Sequence, residues 1–285
     1  MSSLAPAEML DPVAPEARRG ASVRGTYESL VRAWPALLTG AVIIAIWELV
    51  VRVREIPRYL LPAPTVIFGF FISNLDLIWL NAFATGKVVL YGFLLSAAVG
   101  VPLGIAIVEW RPFARTVYPL LVATQTFPKL AIAPLFVVWF GFGLAPKLLM
   151  VFLVAFFPII IDTSVGLRSV RSETLLLARS MGMGYFRTFF QVRIPQGLPS
   201  LFGGLKIGVT LAVVGAVVAE FLGARAGLGH LIIVSTGVVN TPLLFSALLG
   251  LVLLGLAFYL AINAVESVAI RWRTEEVSQF NRGTL

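Results

Sequence analysis

The chain contains no cysteine, which excludes disulfides, thiolate metal sites and thiol catalysis. It contains a single histidine, His230, too few for a multi-imidazole metal centre. Its carboxylates are scattered, with no nucleophile–base pair or ligand cluster of the kind an enzyme needs. No glycine-rich segment ends in Gly-Lys-Ser/Thr, so the chain has no phosphate loop of its own. Charge is also scarce: Asp, Glu, Lys and Arg make up 13% of the 285 residues, against about 25% in soluble domains.

What is abundant is apolar surface. Hydrophobic residues account for 59% of the chain and the mean hydropathy is +0.94. One water-soluble globule cannot enclose that much, so lipid must cover the remainder. A run of about 20 apolar residues spans a bilayer as a helix. Six candidates emerge: Trp34 to Val53, Phe83 to Val108, Val117 to Phe140 (interrupted by Pro128 and Pro134), Lys147 to Leu167, Leu201 to Leu222, and Leu243 to Val265. The expected fold is an all-α membrane protein with about six transmembrane helices. Residues 34–270 would form the membrane domain, between a disordered tail over 1–33 and a short tail over 271–285. Arg18 and Arg19 are followed by no short apolar stretch with a cleavage site, so a removable leader is not expected.

The net charge of +8 would suit nucleic acid in a soluble protein. Here the basic residues sit between apolar runs, which fits the positive-inside bias and excludes nucleic acid as a partner. The most basic connection holds Arg168, Arg171, Arg179, Arg187, Arg193 and Lys206, and should be cytoplasmic. Six spans then put both termini in the cytoplasm, in agreement with Arg18, Arg19, Arg24 and Arg32 at one end and Arg271, Arg273 and Arg282 at the other. Arg52, Arg54 and Arg58 in the first outer loop run mildly against this orientation. That outer loop contains Leu61-Pro62-Ala63-Pro64 and a predicted amphipathic interfacial helix from Pro64 to Leu77.

The long basic loop, about 168–200, carries the main signal. From Glu173 to Arg187 apolar residues recur at helical spacing, through Leu175, Ala178 and Met181, interrupted by Gly182 and Gly184. Phe186, Phe189 and Phe190 add an aromatic patch, and Pro195 and Pro199 are expected to stop the helix before the next span. An apolar face on a cytoplasmic loop calls for a protein partner with a groove.

These residues resemble the coupling loop of ATP-driven (ABC) importer permeases, in which Glu-Ala-Ala, three residues, Gly, nine residues and Ile-x-Leu-Pro recur. Ala178 fits the second Ala, Gly182 the Gly, and Val192-Arg193-Ile194-Pro195 the end, with matching spacings. Leu176 and Leu177 depart from the usual Glu and Ala, and Glu173 lies about one turn earlier. Further words in the same order are similar to the nitrate, sulfonate and taurine branch, which includes permeases for thiamine-precursor pyrimidines and flavins. They are Pro62-Ala63-Pro64-Thr65, Phe127-Pro128-Lys129, Ala133-Pro134-Leu135, Trp139-Phe140-Gly141-Phe142-Gly143, Phe157-Pro158, and Glu220-Phe221-Leu222-Gly223 with Gly227-Leu228-Gly229.

The resemblance implies a type I importer permease fold in a bacterial inner membrane. It also implies a second permease copy forming a homodimer, ABC ATPase subunits below and a periplasmic or lipid-anchored substrate-binding protein above. No cofactor is expected on this chain; ATP and Mg²⁺ would be held by the ATPase. Ala178, Gly182, Tyr185, Phe186, Phe189 and Pro195 would form the ATPase-coupling set. The substrate would be a small anion such as a sulfonate, taurine or nitrate, or a small heterocycle such as a pyrimidine.

Inside the spans, Lys129 would cost about 2.5–3.5 kcal/mol if left in lipid. It either lines the pathway with Gln125 and Thr126 and favours an anion, or snorkels beside the break at Pro128. Glu220 is either a gate on the pathway or a contact for the binding protein or, as the more ordinary reading, an interface residue near the helix end paired with Arg225 or a backbone donor. Gly100-x-x-x-Gly104 and Gly204-x-x-x-Gly208 predict close helix contact. Trp139, Phe140 and Phe142 fit an interfacial belt or a stacking gate. Glu48, Lys87 and Asp162 are read as helix-end or bundle-facing groups, and His230 as an outer-loop residue without a role. A self-powered carrier is the competing reading. It would call for inverted repeats with paired broken helices, and only one broken helix is in evidence.

Overall fold

The computed structural model describes residues 21–270. Eleven α-helices run in order among them: α1 Ala21–Val53, α2 Pro64–Ser73, α3 Leu75–Glu109, α4 Arg111–Gln125, α5 Ala133–Phe140, α6 Leu144–Arg168, α7 Ser172–Ser180, α8 Tyr185–Thr188, α9 Ile194–Phe221, α10 Leu228–Gly237 and α11 Thr241–Ala269. A 3₁₀ turn, Lys129–Ile132, precedes α5, and a π turn, Phe189–Arg193, joins α8 to α9. The chain separates into two compact units, with α1 in one and everything from Ile56 in the other. The first span expected, Trp34 to Val53, lies in α1. That helix begins thirteen residues earlier, at Ala21, so the tail expected over 1–33 is helical in its later part. Residues 1–20 and 271–285, the rest of the expected tails, lie outside the described residues.

In the second unit, α3, α6, the continuous α8–α9 run and α11 are each long and apolar enough to cross a membrane. The third span expected is broken, as its prolines foretold. α4 and the Lys129–Phe140 segment pass the same test only as a pair, bent by 85°.

α6 is the central helix. α3 packs along one side of it and α9 along another, and glycines bring both backbones close. A Cβ on Gly92 would strike Val151, one on Gly100 would meet Ile159, and one on Gly104 would lie 2.7 Å from Thr163 Cβ. From α9, Gly204 meets Asp162 and the Pro158 carbonyl, Gly208 meets Ile159, and Gly215 meets the backbone at Val151. Where the loop begins, Gly166 and Gly197 abut backbone to backbone. Both small-residue pairs predicted from spacing therefore act within the subunit, where small side chains let helices approach without a water-driven hydrophobic effect. Val88, Val89, Phe93, Val151, Ala155, Ile159, Val209, Ala212 and Ala216 fill the space between these contacts.

Three expectations are corrected. The interfacial helix stops at Ser73, not Leu77, because Asn74 donates its side-chain amide to the Phe70 carbonyl and breaks the run (2.9 Å). It also packs on α11, where Ser246 Oγ donates to the Ile67 carbonyl. Pro195 and Pro199 do not stop a helix; α9 runs through both. A proline lacks an N–H and its ring crowds the carbonyl four residues back. The π turn just before Pro195 widens the ladder where that crowding falls. His230 lies in the first turn of α10, not in a loop.

Candidate functional site

The loop between α6 and α9 folds as two short helices with a tight turn. Ser172 and Glu173 open α7, and Ala178 is buried at its back, 5% exposed. Gly182 closes the helix with φ +75°, a left-handed conformation that a residue with Cβ adopts at a cost. Its N–H donates to the Arg179 carbonyl and the Met183 N–H to the Ala178 carbonyl. α8 then starts at Tyr185. Pro195 sits just after the π turn, at the start of α9, where the widened ladder accommodates a residue that has no N–H.

The outward face of this loop is apolar. Leu176, Leu177, Met181, Tyr185, Phe186 and Phe190 are all exposed, Phe186 at 74%. Phe189 is half-buried, edge-on to Phe190 with ring centroids 5.2 Å apart. The pair Leu176 and Leu177, the departure from the family pattern, thus extends the exposed apolar face.

The loop is fastened to the end of α3. Arg193 Nη1 donates to Glu109 Oε1 at 2.6 Å, and the Tyr185 hydroxyl donates to Glu109 Oε2. Arg168, the last residue of α6, donates to the carbonyl of Ile107 at 3.4 Å and lies 5.8 Å from the ring centroid of Tyr118 on α4. A cation against the last carbonyls of α3 also complements that helix's dipole. Sequence reasoning missed Glu109, since its partners lie 76 and 84 residues away.

The second group lies at the break between α4 and α5. Gln125 and Thr126 are exposed, and Lys129 is half-buried with its ammonium 3.9 Å from the centroid of the Phe157 ring. Phe157 is thirteen residues into α6, about 20 Å from its start and close to the middle of that helix. Gln125, Thr126 and Lys129 therefore come together at an elbow, with an aromatic face as the cation's neighbour.

Glu220 does not join them. It is 1% exposed, enclosed by α3, α9 and α10. The Thr85 hydroxyl donates to its carboxylate (2.9 and 3.1 Å) and the Gly229 N–H donates to Oε2 at 2.8 Å. Thr85 Oγ1 accepts from the Leu228 N–H, and Asn81 Oδ1 accepts from the Gly227 N–H, both at 2.8 Å. The first N–H groups of α10, orphaned in any helix, are thus met by side chains from two other helices. Gly227, at φ +129°, leaves no room for a Cβ, which would lie 2.3 Å from the carboxylate. The backbone-donor reading of Glu220 is the one the geometry supports. Phe142, from the aromatic cluster, covers Gly223 nearby.

Among the described residues no group of three or more His, Asp or Glu could hold a metal ion. What the fold presents is a set of spans, one of them broken, with an apolar loop at one end.

Residues 97–272 match the model for binding-protein-dependent transport system inner membrane components, and the chain belongs to that family. It is a multi-pass permease subunit of an ATP-driven importer. It is 37% identical over 244 residues to the riboflavin transport system permease protein RibX of Chloroflexus aurantiacus, covering 84% of this chain and 91% of that one. It is 36% identical over 235 residues to the formylaminopyrimidine transport permease protein ThiX of Halalkalibacterium halodurans, covering 82% and 94%. A chain of the inward-facing MetNI methionine ABC transporter shares the fold, with TM-score 0.60 at 19% identity over 68% of this chain and 97% of that one.

Proposed function

We propose that this permease is driven by separate ABC ATPase subunits docked on the α7–α8 loop, and that a dimer of it carries a small planar heterocycle inward. Leu176, Leu177, Met181, Tyr185, Phe186 and Phe190 supply the docking face, with Ala178, Gly182, Phe189 and Pro195 shaping it. The exposed apolar-aromatic surface on an otherwise basic loop is the observation that carries this reading. Its loop lies at the same end as Arg168, Arg171, Arg179, Arg187 and Arg193, which supports a cytoplasmic placement with both termini inside. ATP and Mg²⁺ belong to the ATPase in this scheme, and this chain needs no cofactor. A substrate-binding protein delivers solute at the opposite, periplasmic end.

The printed names of the relatives, for riboflavin and for a formylaminopyrimidine, favour a planar nitrogen heterocycle. A small anion such as a sulfonate, taurine or nitrate is the second reading, favoured by the Lys129 ammonium at the elbow. In either case Gln125, Thr126 and Lys129 line the route. Glu220 supports it from outside by holding α10.

The test is a mild-detergent pull-down of the tagged chain in its native host. ATPase subunits should co-purify with the wild-type chain and be lost with Phe186→Asp, while membrane insertion is kept. A chain that purifies alone and moves solute into liposomes without ATP would replace this reading with a self-powered carrier.

A further inference from the structure

The loop's attachment to α3 has no counterpart in the chain's connectivity. Sequence ties the loop to α6 at Arg168 and to α9 at Ile194. Side chains alone tie it to α3, through Glu109. That carboxylate is largely shielded, as is Arg193, with 18% and 24% of their side chains exposed. Partial burial makes such a pair less screened than a surface ion pair. Both carboxylate oxygens are used, one by Arg193 and one by Tyr185. The two partners come from different pieces of the loop: Tyr185 opens α8 and Arg193 closes the π turn. A carboxylate so held fixes the loop's orientation as well as its position.

We propose that Glu109 is the positioning residue through which movement of the docked loop is transmitted to α3. α3 also packs on the body through flush glycine contacts at Gly92, Gly100 and Gly104 and through Val88, Val89 and Phe93 in the shared core, and it is one continuous 35-residue helix, with Pro102 inside it, so a force at its end is carried along its length. At its other end the rod carries Asn81 and Thr85, which hold the start of α10. The Glu109 clamp thus connects the ATPase-facing loop to the seat of α10, about 40 Å away along α3. This inference rests on the coupling-loop reading above.

The experiment uses the complete importer in proteoliposomes, with uptake and ATP hydrolysis measured together. Glu109→Gln should keep the ATPase subunits bound and lower the solute moved per ATP at least fivefold. Tyr185→Phe combined with Arg193→Gln removes the same bonds from the loop side and should reproduce the defect. The exchanged pair Glu109→Arg with Arg193→Glu should recover part of the loss. Wild-type solute per ATP in Glu109→Gln would overturn the proposal. So would loss of the ATPase subunits from that variant, because Glu109 would then only shape the docking face. If Phe186→Asp still captures the ATPase, the docking reading itself has failed, a result separate from either outcome for Glu109.

Discussion

Gly203 and Gly204 are neighbours in sequence and opposites in space. A Cβ on Gly203 meets nothing within 4 Å, whereas one on Gly204 would lie 2.6 Å from Asp162 Cβ and 3.1 Å from the Pro158 carbonyl. Gly203→Ala should therefore be neutral or stabilising by up to about 1 kcal/mol, through helix propensity. Gly204→Ala must push α9 off α6 and should cost about 1–3 kcal/mol. Thermal unfolding of the two purified variants in one detergent separates them, and equal midpoints would contradict the packing described. The same measurement tests the α10 seat. Glu220→Ala removes the acceptor of two buried donors, Thr85 Oγ1 and the Gly229 N–H, and should cost about 1–3 kcal/mol. Glu220→Gln, which keeps an acceptor, should cost less. Of these residues the four-residue glycine spacings were legible in sequence. Gly92 and Gly215 were not, since each meets α6 without a companion one turn away. Glu220 stood out as a charge near a helix end, but Thr85 and Asn81 carried no signal because hydroxyl and amide side chains in apolar runs are common.

The α8–α9 run is the element where sequence and structure part most clearly. Two prolines predicted an ending, yet the helix continues through a π turn at Phe189–Arg193. A π turn holds one residue more than the α-helix would. An alanine inserted after Gln191, which the already widened turn has no room to absorb, should rotate α8 by about 100° relative to α9. The membrane spans should still insert while uptake is lost, as membrane fractionation and transport assays would report. Uptake at the wild-type rate would mean that the orientation of α8 does not matter. Gly182 makes a gentler probe of the same element. Gly182→Ala places a Cβ in a left-handed turn, at about 1 kcal/mol, and should impair uptake more than stability. The elbow after α4 was legible because proline both fixes φ and removes a donor. The start of α1 at Ala21 was not, because a helix extending past the bilayer needs no apolar signature.

At the scale of the molecule, the spans came from hydropathy alone, and their ends were set by local chemistry that hydropathy does not see. The two ends of the second unit differ in kind. One gathers Glu109, Arg168, Tyr185 and Arg193 around an exposed apolar loop. The other gathers Asn81, Thr85 and Glu220 around the start of a short helix, fully satisfied and closed. Orientation by basic residues agrees with this division, and the loop pattern made the first end readable. The second end depends on contacts across 135 to 146 residues, which no local pattern encodes.

The 85° elbow also says something about water. Between Gln125 and Lys129 the α-helical ladder lapses, with the Thr126 and Phe127 N–H groups reaching only to residues three back, at 3.3 and 3.4 Å. Backbone that irregular within a span persists where protein or a hydrated recess meets its polar groups, not where acyl chains do. Thr126 and Phe127 are exposed on this chain, which makes a hydrated recess at the elbow the expected surroundings. Their amides should exchange with deuterium in bilayers orders of magnitude faster than those of Val151 or Val209, which are fully buried inside α6 and α9. Such a wet notch would give a polar solute its first place to shed part of its hydration shell.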